Sequence, residues 1–115
     1  MPLDKLRALA DANPGSFPAQ LALGMALKAA DPAGALAAFE RAAALVPHAT
    51  GADSPHAQIA EIALAQGDRA RAIRALDTLT GFDHSDLTNA RKLASLVDPV
   101  ADAALLRTAL RRAVA

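Results

Sequence analysis

The feature that most constrains this chain is a pattern of small and apolar residues that returns at a constant step of about 34 residues. Ala60, Ala72, Leu76 and Leu79 are followed, each one such step later, by Ala94, Leu106, Leu110 and Ala113. An earlier copy places Gly24, Ala35, Phe39 and Ala42 in the same roles, at slightly longer steps. A fixed period of this length is typical of stacked-repeat solenoids, in which each unit buries its apolar face against its neighbours.

The composition favours helices throughout. Apolar residues make up 53% of the 115 residues, and alanine, the residue with the highest helix propensity, contributes 32 of them. Aromatic residues are only 3% of the chain, and β-branched residues are also few, which argues against a sheet. The sequence therefore predicts an all-α fold.

The charge balance argues against two classes of partner. Twelve basic and twelve acidic residues cancel, so no long-range field attracts nucleic acid or an anionic membrane. Arg107, Arg111 and Arg112 are best interpreted as a solvated helix end, where positive charge complements the helix dipole. Cysteine is absent, and no apolar run approaches the ~20 residues of a membrane span. The first residues lack a secretory apolar stretch. The cytoplasm is favoured, but the compartment stays open because a fragment of a longer protein could lack its targeting signal.

Helix-breaking residues divide the chain into about seven helices joined by short turns, as in antiparallel helix pairs. The boundaries are predicted at Asn13-Pro14-Gly15, Asp31-Pro32, Val46-Pro47, Ser54-Pro55, Gln66-Gly67-Asp68, Gly81, Ser85-Asp86 and Asp98-Pro99, and the last helix runs toward Ala115. The second helix is predicted from about Pro18 to Ala30, and Asp31 is predicted to cap the third.

Three copies of one residue pattern are in register along the chain. The first has Leu23-Gly24, Ala35-Leu36, Phe39, Ala42 and Pro47; the second has Ile59-Ala60, Gly67-Asp68, Ala72-Ile73, Leu76 and Leu79; the third has Leu93-Ala94, Val97, Leu110 and Ala113. These residues resemble the tetratricopeptide repeat, a helix–turn–helix unit of about 34 residues. The resemblance implies a right-handed α-solenoid of antiparallel helix pairs, with a related solenoid or an irregular helical bundle as the alternatives.

The resemblance predicts a single domain over residues 1–115. Residues 1–14 form the second helix of a partial repeat, residues 16–47 and 53–86 form two repeats, and residues 87–115 form a truncated one. Small residues at Gly24, Ala60 and Ala94 are expected to let helices approach closely, while Phe39, Leu76 and Leu110 fill the adjoining space. The pattern departs from the family at the tryptophan-like position, where Gln20, His56 and Ala90 stand, and Leu106 replaces an alanine in the third copy.

The partial repeats at both ends indicate an excised piece of a longer protein, with a natural small protein as the alternative. Helices left without a polar cap at such ends expose apolar surface. The sequence therefore allows self-association through the terminal helices.

No catalytic or metal-binding pattern is evident. His48, His56 and His84 are far apart and lack the spacing of a helical metal site. Asp53 with His56 could meet at a helix start, and Asp83-His84 with Asp86 could attract a cation, but turn and capping roles explain both clusters more simply. No serine or carboxylate pair has an activating partner. The sequence predicts neither enzymatic activity nor a cofactor or metal.

The family's concave groove, formed by the first helix of each pair, implies the binding surface. Carried over to this chain, its positions are Leu21, Met25, Lys28, Ala57, Glu61, Leu64, Arg91 and Ser95. The carboxylate clamp of some family members is not matched, because Leu21, Met25, Gln58 and Thr88 occupy most of its places and only Lys92 remains. The resemblance implies a scaffold that binds a protein or peptide. The alternatives are a structural spacer that stacks with its own copies and an accessory domain of a larger enzyme.

Overall fold

The computed structural model describes residues 2–50, 54–83, 85–97, 107–108 and 110–112, and every regular element in them is helical. The helices are α1 (Leu3–Ala12), α2 (Phe17–Leu27), α3 (Pro32–Leu45), α4 (Pro55–Ala65), α5 (Arg69–Phe82) and α6 (Leu87–Leu96). Residues 107–108 and 110–112 also have helical backbone. The predicted all-α fold is confirmed for this part of the chain.

The chain divides into two compact units, an N-terminal unit Met1–Ala49 and a C-terminal unit Thr50–Ala115. In the N-terminal unit α2 packs on both α1 and α3, and in the C-terminal unit α5 packs on both α4 and α6. Consecutive helices are therefore neighbours within each unit, as the short predicted turns require.

Side-chain caps explain where the helices begin. Ser16 accepts a hydrogen bond from the Ala19 amide at 3.3 Å and starts α2, and Asp31 accepts one from the Gly34 amide at 3.1 Å and starts α3. These bonds satisfy amide groups that have no partner within the helix. Cap bonds of the same kind start α4 at Ser54, α5 at Asp68 and α6 at Asp86. The predicted start at Asp31-Pro32 is confirmed, and α6 begins after Asp86 rather than Ser85.

From α2 onward the helices alternate in length, whereas α1 has 10 residues and is no longer than α2. The helices α2 and α4 have 11 residues each and α6 has 10, whereas α3 and α5 have 14 each. A short helix followed by a long one is thus present in both units, which is compatible with a helical repeat.

The helices α2 and α3 approach each other closely at Gly24. The ring of Phe39 is fully buried, and a Cβ built on Gly24 would lie only 2.6 Å from its Cε1 atom. A side chain at this position would therefore overlap the ring. The expected packing of a small residue against Phe39 is confirmed.

A buried glutamine links all three helices of the N-terminal unit. Gln20 on α2, only 2% exposed, donates from Nε2 to the Ala10 carbonyl of α1 at 3.2 Å. Its Oε1 atom accepts a hydrogen bond from Arg41 Nε of α3 at 2.9 Å. Both ends of the amide are thus satisfied, as burial of such a group requires.

In the C-terminal unit, the residues predicted to fill the core are buried in the second copy of the pattern. In the third copy, only some of them are buried. Ala60 and Leu76 are buried, as expected. Ala94, by contrast, is half-buried, and Leu110 is 48% exposed instead of filling the space beside it. The expectation for Leu110 was wrong, because sequence register gives a residue's place in the repeat but not whether a neighbouring helix covers it.

Two helix ends also differ from the prediction. The helix α2 ends at Leu27 instead of about Ala30, since residues 28–30 form a turn ahead of the cap at Asp31. The helix α5 continues past Gly81 to Phe82. One glycine inside a helix is tolerated at a cost of ~1 kcal/mol when packing favours the helix.

Gly67 ends α4 in a left-handed conformation, with φ of +76°. The Asp68 amide donates to the Ala63 carbonyl at 2.8 Å and the Gly67 amide to the Leu64 carbonyl at 3.2 Å. These two bonds form a Schellman motif, which places glycine where other residues are strained.

We expect Gly67→Ala to lower the free energy of unfolding by about 1 kcal/mol, because alanine at positive φ is strained. Urea titration followed by circular dichroism measures this change. The control is Gly15→Ala, since Gly15 has a negative φ and no atom within 4 Å of a built Cβ. Equal stability of the two variants would contradict the assigned motif.

Arg112 is anchored to α5 and is not a solvated helix end. Its Nη1 atom lies 2.7 Å from Asp77 Oδ1 and donates to the Asp77 carbonyl at 3.1 Å and to Thr80 Oγ1 at 2.9 Å. Thr80 is fully buried and donates in turn to the Leu76 carbonyl at 2.8 Å. Arg107 and Arg111 are exposed, so the prediction of a solvated helix end is met for these two arginines and is wrong for Arg112.

We expect Arg112→Gln to lower the free energy of unfolding by about 1 kcal/mol, a modest value because the Asp77 side chain is 44% exposed. The matched control is Arg111→Gln, which changes an exposed arginine of the same helix. The difference between the two variants, measured by urea titration, should shrink as salt concentration rises. No difference at low salt would show that the anchor contributes nothing.

Candidate functional site

The C-terminal unit contains an open cleft of about 490 Å³. It is lined by Ala57, Gln58 and Glu61 of α4, Asp83, Ser85 and Asp86 of the α5–α6 turn, and Thr88, Asn89 and Lys92 of α6. The packing of α5 on both α4 and α6 holds these segments in place. The cleft is an exposed polar surface between helices, of a size that admits a few side chains of a partner.

Two of the carboxylates at the cleft have local structural roles. Asp83 Oδ1 accepts hydrogen bonds from the amide and the hydroxyl of Ser85, at 3.0 and 2.6 Å. Asp86 caps α6 through the Asn89 amide at 3.2 Å and accepts a second bond from Asn89 Nδ2 at 2.7 Å. The interpretation of Asp83 and Asp86 as turn and capping residues is confirmed. Their positions are therefore fixed by the turn itself.

The cleft brings together residues that are one repeat apart in the sequence. Gln58 of α4 and Lys92 of α6 are separated by one full period of the repeat pattern and line the same space. Gln58 is 6% exposed, whereas Lys92 is exposed. Thr88 lines the same space, and Lys92 is the only cation among the described residues that line the cleft.

Only part of the predicted groove lies at this cleft. Ala57 and Glu61 line it, but Leu64, Arg91 and Ser95 are not among its described lining residues. Leu64, Arg91 and Ser95 are exposed on the same two helices, α4 and α6. The Ser95 hydroxyl is bonded within its own helix, donating to the Lys92 carbonyl at 2.7 Å.

The remaining predicted groove residues belong to the N-terminal unit. Leu21 is half-buried, Met25 is 44% exposed, and Lys28 is half-buried at the end of α2. The helix α2 has no charged residue from Phe17 to Leu27. A separate and more apolar cleft of about 410 Å³ lies between α1 and α2, lined by Leu6, Leu9, Asn13, Ser16, Pro18, Ala19 and Ala22.

Sequence reasoning missed Ser85 and Asn89 of the polar cleft, and it interpreted Asp83 and Asp86 as turn and capping residues instead of binding residues. Asp83, Ser85 and Asp86 belong to a turn, and the path of a turn past a neighbouring helix leaves no periodic signal in the sequence. The one available clue was the cap at Asp86, because a cap fixes where the first turn of α6 begins.

The histidines do not form a site in the described residues. His48 is exposed after α3 and His56 is half-buried in the first turn of α4, while His84 and Asp53 lie outside the described residues. Over the described ranges, no group of three or more histidine, aspartate or glutamate side chains is arranged to hold a metal ion.

Comparison with known proteins identified no matching family model and no matching curated protein. Within the described residues, no helix has both the length and the apolar character needed to cross a bilayer.

Proposed function

We propose that this chain is a tetratricopeptide-like scaffold, a non-catalytic α-solenoid module that binds a peptide or a partner domain. The polar cleft of the C-terminal unit is the observation that carries the proposal. It is open, it lies along the first helices of two successive repeats as the sequence divides them, and polar side chains surround it. These are properties of a surface that receives a polypeptide segment.

Residue spacing and helix lengths support the repeat assignment. Gln58 and Lys92 share the cleft at a separation of one repeat period, and the same short–long helix pair is present in both units. The pair Gly24 and Phe39 in one unit corresponds to the buried pair Ala60 and Leu76 in the other. The solenoid and the repeat boundaries 16–47, 53–86 and 87–115 remain part of this proposal.

The cleft has polar groups, charges of both signs and open space with which to hold a peptide. Thr88 and Asn89 carry hydroxyl and amide groups of the kind that pair with a peptide backbone. Lys92 offers a positive charge, and Glu61 together with the aspartates of the turn offers negative charge. Ala57 leaves room at the wall, where a larger side chain would occupy the space.

A random-peptide display library selected against the whole chain tests the proposal. We expect Lys92→Glu to weaken binding of the selected peptides by about tenfold, or ~1.4 kcal/mol, by reversing a charge at the cleft. We expect Ala57→Trp to abolish binding by filling the cleft. The controls are Arg91→Glu, which reverses an exposed charge on the same helix, and Ala70→Trp, which adds the same ring to an exposed site on α5.

The outcomes separate the proposed cleft from the groove implied by the family. Loss of binding in Lys92→Glu and Ala57→Trp alone supports the cleft. If only Arg91→Glu loses binding, the peptide binds to the groove face predicted from the sequence and not to the cleft. Selected peptides that bind all four variants equally would overturn a peptide-binding role for this unit.

Self-association is the second candidate function, and the surface of the N-terminal unit favours it. The helix α2 has no charges and exposes Met25, and Leu9 of α1, which lines the apolar cleft between α1 and α2, is 42% exposed. Exposed apolar surface of this kind is common at contacts between proteins. Sedimentation over a concentration series tests this candidate, and a monomer at every concentration would exclude it.

A further inference from the structure

We draw no further inference here: the strongest candidate, the acidic cluster of Glu61, Asp83 and Asp86 around the polar cleft of the C-terminal unit, belongs to the site already described, and no second feature of the described residues points to a cationic ligand.

Discussion

Replacement of Gly24 with leucine is expected to lower the free energy of unfolding by about 3 kcal/mol. The first added atom would already lie 2.6 Å from the ring of Phe39, and that ring is fully buried. Leucine has the better helix propensity, by about 0.8–1 kcal/mol, so the overlap must outweigh this gain. Urea titration monitored by circular dichroism gives the net effect.

The control for Gly24→Leu is Gly15→Leu, since a Cβ at Gly15 would meet no atom within 4 Å. We expect that variant to change stability by no more than about 0.5 kcal/mol. If Gly24→Leu were as stable as Gly15→Leu, the close approach of α2 to α3 would be wrong.

A double-mutant cycle assigns the effect to the ring. Phe39→Ala alone should cost about 3–5 kcal/mol through loss of buried surface and the cavity that remains. Combined with Gly24→Leu it should cost at least ~1 kcal/mol less than the sum, because the new side chain fills part of the space that the ring leaves. Strict additivity would show that the two residues do not share this space.

Replacement of Gln20 with alanine is expected to lower the free energy of unfolding by about 2–4 kcal/mol. The change removes a buried side chain together with its bonds to the Ala10 carbonyl and to Arg41 Nε. Ala10 is itself buried, so water has little access to that end of the bridge, whereas Arg41 is exposed and can be solvated. Hydrogen exchange should show the largest loss of protection in α1 and α2.

Two further variants separate packing from hydrogen bonding. Gln66→Ala removes an exposed glutamine at the end of α4 and should change stability by no more than about 0.5 kcal/mol. Gln20→Leu keeps most of the buried volume but removes both polar bonds, and we expect it to cost about 1–3 kcal/mol. A Gln20→Leu variant as stable as the unchanged protein would mean that the bridge contributes no net stability.

The sequence predicted most accurately what depends on local chemistry. Helix formation follows from alanine content, and the start of α3 at Asp31-Pro32 follows from a cap and a proline within the same turn. The contact of Gly24 with Phe39 was also predictable, because the repeat pattern relates the two positions on paired helices. In each case the relevant information lies within one helix or one helix pair.

What the sequence could not predict depends on contacts between distant segments. Gln20 was assigned to a tryptophan-like position, yet its role as a polar bridge requires Arg41, 21 residues away, to reach the same point. Arg112 was interpreted as solvated because its partners Asp77 and Thr80 lie on another helix, 35 and 32 residues earlier. Leu110 satisfies the repeat pattern and is still 48% exposed. Pattern alone does not reveal which neighbour covers a residue.

Of the candidate site, the sequence identified Ala57 and Glu61 as groove residues and singled out Lys92 as a remnant of the clamp. All three line the polar cleft. The turn between α5 and α6, which forms another part of the lining, was not predictable, because its position depends on how the two helices pack. Binding by this surface remains a proposal that the peptide selection tests.

The side-chain caps have a consequence for how such a chain changes in length. Five of the six helices named above begin with a serine or aspartate that bonds to an amide two or three residues further on. The capping residue that starts each of these helices therefore belongs to the same chain segment as the helix itself. A gene segment duplicated or deleted at the turns would bring its helix limits with it, so the number of helix pairs can change in evolution or in design without new boundaries having to arise.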